Sequence, residues 1–296
     1  MIVTNRCLAG SPFMIRFAGP LLLVLITRPL AAQQDTLRPP LRDRGAGIRT
    51  SEFQTYIQRG QFFIIPAVSY VKDHNLEYSP FDWGYGSQDG LRAAFHGSSA
   101  QLLLAYGVTD WLAFELEGSY LKAHFERDAQ DTSATPSQID ESGVGDFAVQ
   151  ARMRFAHERG SRPEIWGSLE FIPASNTGKL LIGDKPSDLK GEIGLTKGYQ
   201  FGTMTLRTTI EYNHGDHHWD LGETSIEYLR RLSTNWRVMA AVEGGEGGAP
   251  DEFVFVTSFQ ARLARSVVLN FGNSFGLMSK STDLEPYVGL RFELRD

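Results

Sequence analysis

Hydrophobic and polar residues alternate along most of the chain from about residue 61 onward. In one segment Phe114 and Leu116 occupy one face of an extended strand. Glu115 and Glu117 occupy the opposite face. A period of two residues is that of a β-strand with one apolar and one polar side. The pattern therefore predicts an all-β chain, and it shows no break that would separate two folded domains.

Twelve such segments follow one another, near 61–72, 93–106, 111–125, 143–156, 164–173, 188–197, 202–213, 221–230, 235–244, 252–263, 266–277 and 284–294. Long polar connections alternate with tight ones along most of this series. An even number of strands, with long loops at one end and tight turns at the other, is typical of a membrane barrel. We therefore predict an antiparallel up-and-down transmembrane β-barrel of about 12 strands over residues 61–296.

The polar faces of these segments carry most of the charge, whereas the apolar faces of the clearest segments carry essentially none. In a membrane barrel the apolar faces contact lipid and the polar faces line the lumen. The predicted lumen-lining residues are Glu115, Glu117, Asp146, Gln150, Arg152, Arg154, Glu170, Glu192, Arg207, Glu211, Arg237, Glu243, Arg262 and Arg291. Counted with Glu223, Glu285 and Glu293, acids outnumber bases on this face. A water-filled lumen of this composition would weakly prefer cations.

The first 32 residues have a different pattern. Arg16 precedes an apolar run at 21–26, and small residues before Gln33 fit a cleavage site. The run is shorter than the roughly 20 apolar residues that a membrane helix needs. We interpret residues 1–32 as a signal peptide for export, and Met14 begins a more compact version of it that we favour as the start.

Residues 33–60 are polar and contain the pair Pro39-Pro40. Segments of this kind are usually loops or linkers. We predict a loose, polar N-terminal extension that precedes the barrel.

Composition excludes several classes of protein. With 42% hydrophobic residues the chain has ample apolar material for a folded core, and a single cysteine, Cys7, excludes a disulfide scaffold. The formal net charge is −6 and no basic stripe is present, so a nucleic-acid partner is not expected. No glycine loop of the phosphate-binding type occurs, and we expect no cofactor.

Three motifs resemble those of known outer-membrane barrels. Tyr106-Gly107-Val108-Thr109-Asp110-Trp111 is similar to a periplasmic turn, and Glu141-Ser142-Gly143-Val144-Gly145-Asp146 is similar to the strand start of transporter barrels, including the family named after a phenol-degradation pathway. The stretch from Tyr287 to Leu294 resembles the C-terminal signal read by the barrel-assembly machinery, although Arg295 and Asp296 extend beyond it. The resemblance implies an outer-membrane location and a channel role, and it supplies no catalytic residues.

Candidate chemistry outside the lumen is sparse. The densest group of metal-type ligands is His214, Asp216, His217 and His218, in a predicted outer loop. Imidazole and carboxylate groups bind divalent ions, but a solvated polar loop explains the same residues. Ser98 follows His96 on one face of a strand, which is only a weak sign of a hydrolase. We expect no catalytic site.

The sequence thus predicts a protein of the cell outer membrane of a Gram-negative type of envelope, a narrow passive channel for a small solute. Its expected partners are outer-membrane lipid, the barrel-assembly machinery and the solute. One alternative is a non-channel barrel, either structural or a lipid or peptide hydrolase. Another is a soluble exported barrel that binds an apolar ligand. The alternation does not decide whether the lumen is open or filled by its own side chains.

Overall fold

The computed structural model describes residues 10–11, 41–81, 83–86, 90–175, 178–182, 187–214, 217–244, 253–278 and 281–295. Almost all of the predicted signal peptide, together with Asp216 of the histidine loop, lies outside these residues. Gly10 and Ser11 form a two-residue parallel pairing with Thr282 and Asp283, which we do not number among the barrel strands.

The barrel has twelve strands. We number them β1 (Gln61–Tyr78), β2 (Leu91–Gly107), β3 (Leu112–Arg127), β4 (Gln138–Ala156), β5 (Glu164–Ile172), β6 (Asp188–Gly198), β7 (Thr203–Asn213), β8 (His218–Arg231), β9 (Trp236–Gly244), β10 (Phe253–Ala264), β11 (Val267–Gly276) and β12 (Thr282–Arg295). Each strand pairs antiparallel with the next one in the chain.

Closure of the sheet depends on the pairing of β12 with β1, in which Val288 lies opposite Val68 and Phe292 lies opposite Ile64. Because the last strand pairs with the first, the barrel sheet has no free edge whose backbone groups would need partners. The predicted fold class and the number of strands are confirmed. We call the two ends of the barrel the turn end, with the tight connections, and the loop end.

The first four strands are longer than the sequence pattern predicts. β1 continues to Tyr78 instead of ending near residue 72, and β4 begins at Gln138 instead of near residue 143. The extra residues lie at the loop end, where inward side chains pack in a cluster that we call the outer cluster: Val71, Tyr78, Ala93, Phe95, Ala123, Phe125, Leu181 and Ile182. The ladders continue because this cluster supports them from inside.

One connection folds into the barrel at the loop end. Leu181 and Ile182, between β5 and β6, are fully buried in the outer cluster. The backbone N–H groups of Leu180 and Leu181 donate to the Glu141 carboxylate at 3.0 and 2.7 Å. This part of the chain therefore closes much of the loop end instead of extending into solvent.

A second loop-end contact involves the connection between β3 and β4. Tyr78 donates its hydroxyl proton to Asp131, and the Ser133 backbone N–H donates to the same carboxylate at 2.7 Å. Burial opposes ionisation of Asp131, but these hydrogen bonds outweigh it and hold the pKa of Asp131 below its ordinary value. The carboxylate thus stays ionised and ties the connection to β1.

The outward faces of the strands are apolar and exposed. Val149 is 42% exposed, and Leu169, Ile193 and Ile226 are about half exposed on neighbouring parts of the wall. A protein in water rarely exposes apolar area on this scale, whereas a lipid-facing wall requires it. Within the described ranges, no helix is long and apolar enough to cross a membrane.

Residues 43–57, part of the segment that the sequence indicates as a loose extension, are largely packed inside the barrel. Ile48–Arg49 pairs antiparallel with Tyr56–Ile57, and we call residues 47–58 the luminal hairpin. The chain reaches β1 at the turn end, where the Gly60 N–H donates to the Gly107 carbonyl at 2.8 Å. The hairpin therefore enters the lumen from the turn end and ends inside the barrel.

Candidate functional site in the barrel lumen

The luminal hairpin is held mainly by Glu227 of β8, a buried inward residue. Arg49 donates through both terminal nitrogens to this carboxylate, with the Nη2–Oε1 distance at 2.7 Å. Gln54 Nε2 donates to Oε2 at 2.7 Å. Arg49 is 5% exposed, and its guanidinium stacks over the Trp166 ring at 5.2 Å. A bidentate ion pair in such a buried place fixes both the position and the orientation of the hairpin.

The opposite wall provides a second attachment. Glu115 of β3 is 3% exposed and accepts from the backbone N–H of Ser51 at 3.1 Å and from its hydroxyl at 2.5 Å. β3 and β8 are five strands apart, so the hairpin bridges the lumen. It is therefore an internal plug of the barrel, not a strand added to one wall.

The tip of the hairpin has unusual backbone geometry. Phe53 and Gln54 have φ of 52° and 47°, and the Thr55 N–H donates to the Glu52 carbonyl at 3.2 Å. A two-residue turn with positive φ at both central positions strongly favours asparagine and glycine. Non-glycine residues in this region cost roughly 1–2 kcal/mol each, so contacts with the wall must stabilise the turn.

Those contacts come from β10 and β12. Gln260 Nε2 donates to the Phe53 carbonyl, and the Phe53 ring lies 5.4 Å from that of Tyr287. Gly289 leaves the space that the ring occupies, since a Cβ at this position would lie 2.8 Å from the Phe53 ring. The wall therefore accommodates the hairpin tip at a glycine.

The base of the hairpin is anchored at the turn end. Arg44 is almost fully buried and pairs with Glu158 at 2.9 Å and with Glu164 at 3.0 Å. Asp43 accepts from the Arg231 backbone N–H at 2.8 Å. These residues close the mouth of the barrel around the point where the chain enters.

Around the hairpin, the inward charges form ion pairs across the strands. Arg207 contacts four carboxylates, those of Glu192, Glu223, Glu227 and Glu243. Arg152 lies 2.9 Å from Glu192 and donates to Gln150 at 2.6 Å. Charges inside a low-dielectric barrel are tolerated when they are paired in this way. The network makes the wall that faces the hairpin rigid.

A cavity remains between the hairpin and the outer cluster. Its volume is about 210 Å³, and its lining includes the acids Glu117, Asp146 and Glu170 together with Leu181 of the outer cluster. The charge of Glu52, on the hairpin, also acts on Glu117. This cavity is an acidic chamber that lies between the hairpin and the outer cluster, and we call it the acidic chamber.

All fourteen predicted lumen-lining residues lie on the faces opposite to the exposed apolar side chains: Glu115, Glu117, Asp146, Gln150, Arg152, Arg154, Glu170, Glu192, Arg207, Glu211, Arg237, Glu243, Arg262 and Arg291. They do not form one site. Glu115 binds the hairpin, Glu117 faces the chamber, and Arg262 lies at the turn-end mouth with its side chain 37% exposed.

Sequence reasoning missed the hairpin residues, above all Arg44, Arg49 and Gln54. A signal was present, because Ile48 and Ile57 are the two aliphatic residues of the stretch 48–57, which otherwise contains mainly polar residues beside Phe53 and Tyr56. Both isoleucines are buried against β1 and β2. Two isolated apolar residues are too little, however, to distinguish a hairpin from a linker.

The described candidate metal ligands do not form a site. His214, His217 and His218 are exposed, and Asp216 lies outside the described residues. His217 is bonded to Tyr212 at 3.2 Å, and His218 Nδ1 lies 3.0 Å from Asp220. Among the residues with a described placement, no group of three or more metal-type ligands occurs.

The outer wall carries a polar patch above the apolar belt. His96, His124 and Asp140 lie side by side on β2, β3 and β4, and His124 Nδ1 is 2.6 Å from Asp140 Oδ1. An open cavity of about 470 Å³ there also includes Ser98 and Ser142. Neither serine hydroxyl is bonded to a histidine within the described ranges, so the nucleophile–base contact of a serine hydrolase is missing.

No protein-family model matches the sequence, and no curated protein matches it. Similar solved structures include the translocator domain of autotransporter NalP from Neisseria meningitidis, with a TM-score of 0.46, 12% identity, and coverage of 80% of this chain and 89% of that one. Others are the low-pH structure of Pseudomonas putida OprB, with a TM-score of 0.34, 7% identity and coverage of 79% and 93%, and Salmonella typhi OmpF in complex with daunomycin, with a TM-score of 0.32, 6% identity and coverage of 79% and 97%. At this level of similarity the assignment of the barrel rests on the strand pairing of the chain itself.

Proposed function

We propose that the protein is an outer-membrane β-barrel that lets a small solute diffuse through its lumen and weakly prefers cations. The observation that carries the proposal is the closed barrel with an apolar outer wall and a charged interior. A wall of this kind suits lipid outside and water inside. Outer-membrane lipid and the barrel-assembly machinery are the partners that such a protein requires.

The luminal hairpin makes the channel narrow. It occupies the turn-end half of the lumen, so solute passes only when the hairpin moves or through the space beside it. Both alternatives that the sequence leaves open, a water-filled pore and a filled lumen, are then states of one protein. Many contacts of the hairpin with the wall are polar, and water can replace them when the hairpin leaves, whereas the buried Ile48 and Ile57 oppose its withdrawal.

Two alternative functions have less support. A soluble barrel would need its apolar side chains inside, whereas here the large apolar side chains of the wall are exposed. The hydrolase alternative rests on the outer-wall histidines, whose nearby serines lack the required contact. A structural barrel remains the main competitor, and electrical measurement distinguishes it from a channel.

Refolded protein in a planar bilayer under a salt gradient tests the proposal. We expect small, brief conductance steps with a reversal potential of the cation-preferring sign, because acids line the chamber. The preference should shrink as KCl approaches 1 M, where the Debye length is about 3 Å. Glu117→Gln removes a chamber carboxyl group that has no ion pair within the described residues. Measured at alkaline pH, where this carboxyl group is ionised, the variant should shift the reversal potential toward zero.

Glu126→Gln is the matched control, since Glu126 lies on the same strand but is exposed outside the barrel. It should leave the reversal potential unchanged. Anion preference in the wild type would contradict the charge argument. A silent bilayer with correctly folded protein, for the wild type and for a variant with a displaced hairpin, would favour the structural barrel.

A further inference from the structure

Three arginines converge inside the turn-end mouth, between the hairpin and strands β9–β12. Arg262 and Arg291 both lie opposite Val268, one on each side of β11. Arg237 lies opposite Gln260, two residues from Arg262. Diagonal neighbours across a sheet are within reach of long side chains, so the three cations share one region.

Among the described residues, Glu293 is the carboxylate that pairs with these cations. It lies 2.6 Å from Arg291 and 3.9 Å from Arg262. Arg237 has no ion pair and no hydrogen bond within the part of the chain that the structure describes, although the charges of Arg231, Arg262 and Arg291 act on it.

Neutral polar groups beside Arg237 are also left without partners. Asn270 is 0% exposed, and neither its amide nitrogen nor its amide oxygen has a hydrogen bond. It lies opposite Gln260, whose Oε1 also lacks a partner, and Nε of buried Arg291 lacks one too. Buried polar groups are nearly always satisfied, so this set indicates a ligand that completes it.

From these observations we infer that the turn-end mouth binds a phosphate-class oxyanion, either free phosphate or the phosphate group of a small solute. A tetrahedral dianion accepts hydrogen bonds from several guanidinium groups at once and also from an amide N–H. Its charge offsets the excess of arginines, whose burial without counter-charge is costly. Arg237 and the Asn270 amide supply the donors that lack partners.

This site is separate from the acidic chamber that sets the proposed cation preference. Arg237 is the second residue of β9, at the turn end, whereas the chamber adjoins the outer cluster towards the loop end. Binding therefore does not depend on conduction. The inference goes beyond the proposed function, because it assigns a class of ligand to the turn end of the barrel.

The test is titration of inorganic phosphate into the refolded full-length protein in neutral detergent, followed by calorimetry and by thermal unfolding. The wild type should bind in a saturable way and gain thermal stability. Arg237→Gln should weaken binding about tenfold or more, because a hydrogen bond to a charged group contributes roughly 1.5–3 kcal/mol. Arg230→Gln is the matched control. Arg230 is next to Arg231, its guanidinium donates to Gln200 instead, and its loss should not change binding.

Asn270→Leu gives a second readout in case Arg237→Gln fails to refold. Removing an unpartnered buried amide should raise thermal stability without phosphate and reduce the stabilisation that phosphate provides. Absence of saturable binding in the wild type, or equal binding in wild type and Arg237→Gln, overturns the inference. These experiments contain no membrane, so their outcome is independent of the bilayer recordings. Phosphate binding can be found in a protein that does not conduct, and it can be absent from a protein that conducts.

Discussion

Replacing Arg49 by glutamate is expected to increase the conductance of the barrel and the fraction of time for which it is open, up to the limit that the outer cluster sets at the loop end. The substitution breaks the bidentate pair with Glu227 and places two carboxylates against each other in a buried site. Removing one partner of a buried ion pair typically costs about 3–5 kcal/mol. A cost of that size shifts the balance between inserted and withdrawn hairpin by more than about a hundredfold. Single-channel recording in planar bilayers measures the change.

Arg59→Glu is the matched control for this prediction. It makes the same charge change in the same N-terminal segment, but Arg59 is exposed at the turn end. Its conductance should equal that of the wild type. Gly289→Leu displaces the hairpin from the wall side, since the new side chain takes the space of the Phe53 ring. If both Arg49→Glu and Gly289→Leu keep the wild-type conductance in folded barrels, the hairpin does not control the pore.

Placing an arginine on the outer wall is expected to abolish efficient refolding into lipid vesicles. Leu116 and Val149 lie directly opposite each other on β3 and β4, and Val149 is 42% exposed on the outer side. Leu116→Arg or Val149→Arg moves a charge into the hydrocarbon, at a cost of roughly 2–4 kcal/mol near the midplane. The folded fraction is read from the shift in gel mobility of unheated samples and from protease resistance.

The control for refolding is Ala148→Arg, on the same strand but on the inward face. Ala148 lies opposite Glu117 and lines the acidic chamber, where an added cation meets carboxylates. Refolding of this variant should stay close to that of the wild type. If all three arginine variants refold equally well, the assignment of lipid-facing and lumen-facing sides is wrong.

The interior of the lumen shows where sequence reasoning ends. The alternation that puts Glu115 on the inward face gives Glu227 of β8 the same orientation, and it does not distinguish the two. The structure gives them a specific role, because both hold the hairpin by direct hydrogen bonds. Arg237 looks like any other inward arginine in the sequence. Its lack of a counter-charge emerges only when neighbouring strands are brought into register.

Two features follow from the sequence alone: the number of barrel strands and the faces of those strands. These are local properties, since a strand exposed to different surroundings on its two sides must alternate every second residue. The order of long and tight connections follows only in part, because the connection expected to be long at 214–220 is reduced to residues 214–217. The exact strand ends were less predictable at the loop end. Continuation of β1 to Tyr78 depends on the outer cluster, whose members come from distant parts of the chain.

The position of residues 41–60 was decided only by the tertiary structure. A polar inward face has the same sequence whether it meets water or a polar segment of its own chain, because both satisfy its hydrogen bonds. The hairpin adds contacts between residues more than a hundred positions apart, such as Arg49 with Glu227. Which charges meet depends on the pairing register of every strand between them. Sequence periodicity thus determines the wall of this barrel, and packing across the lumen determines what fills it.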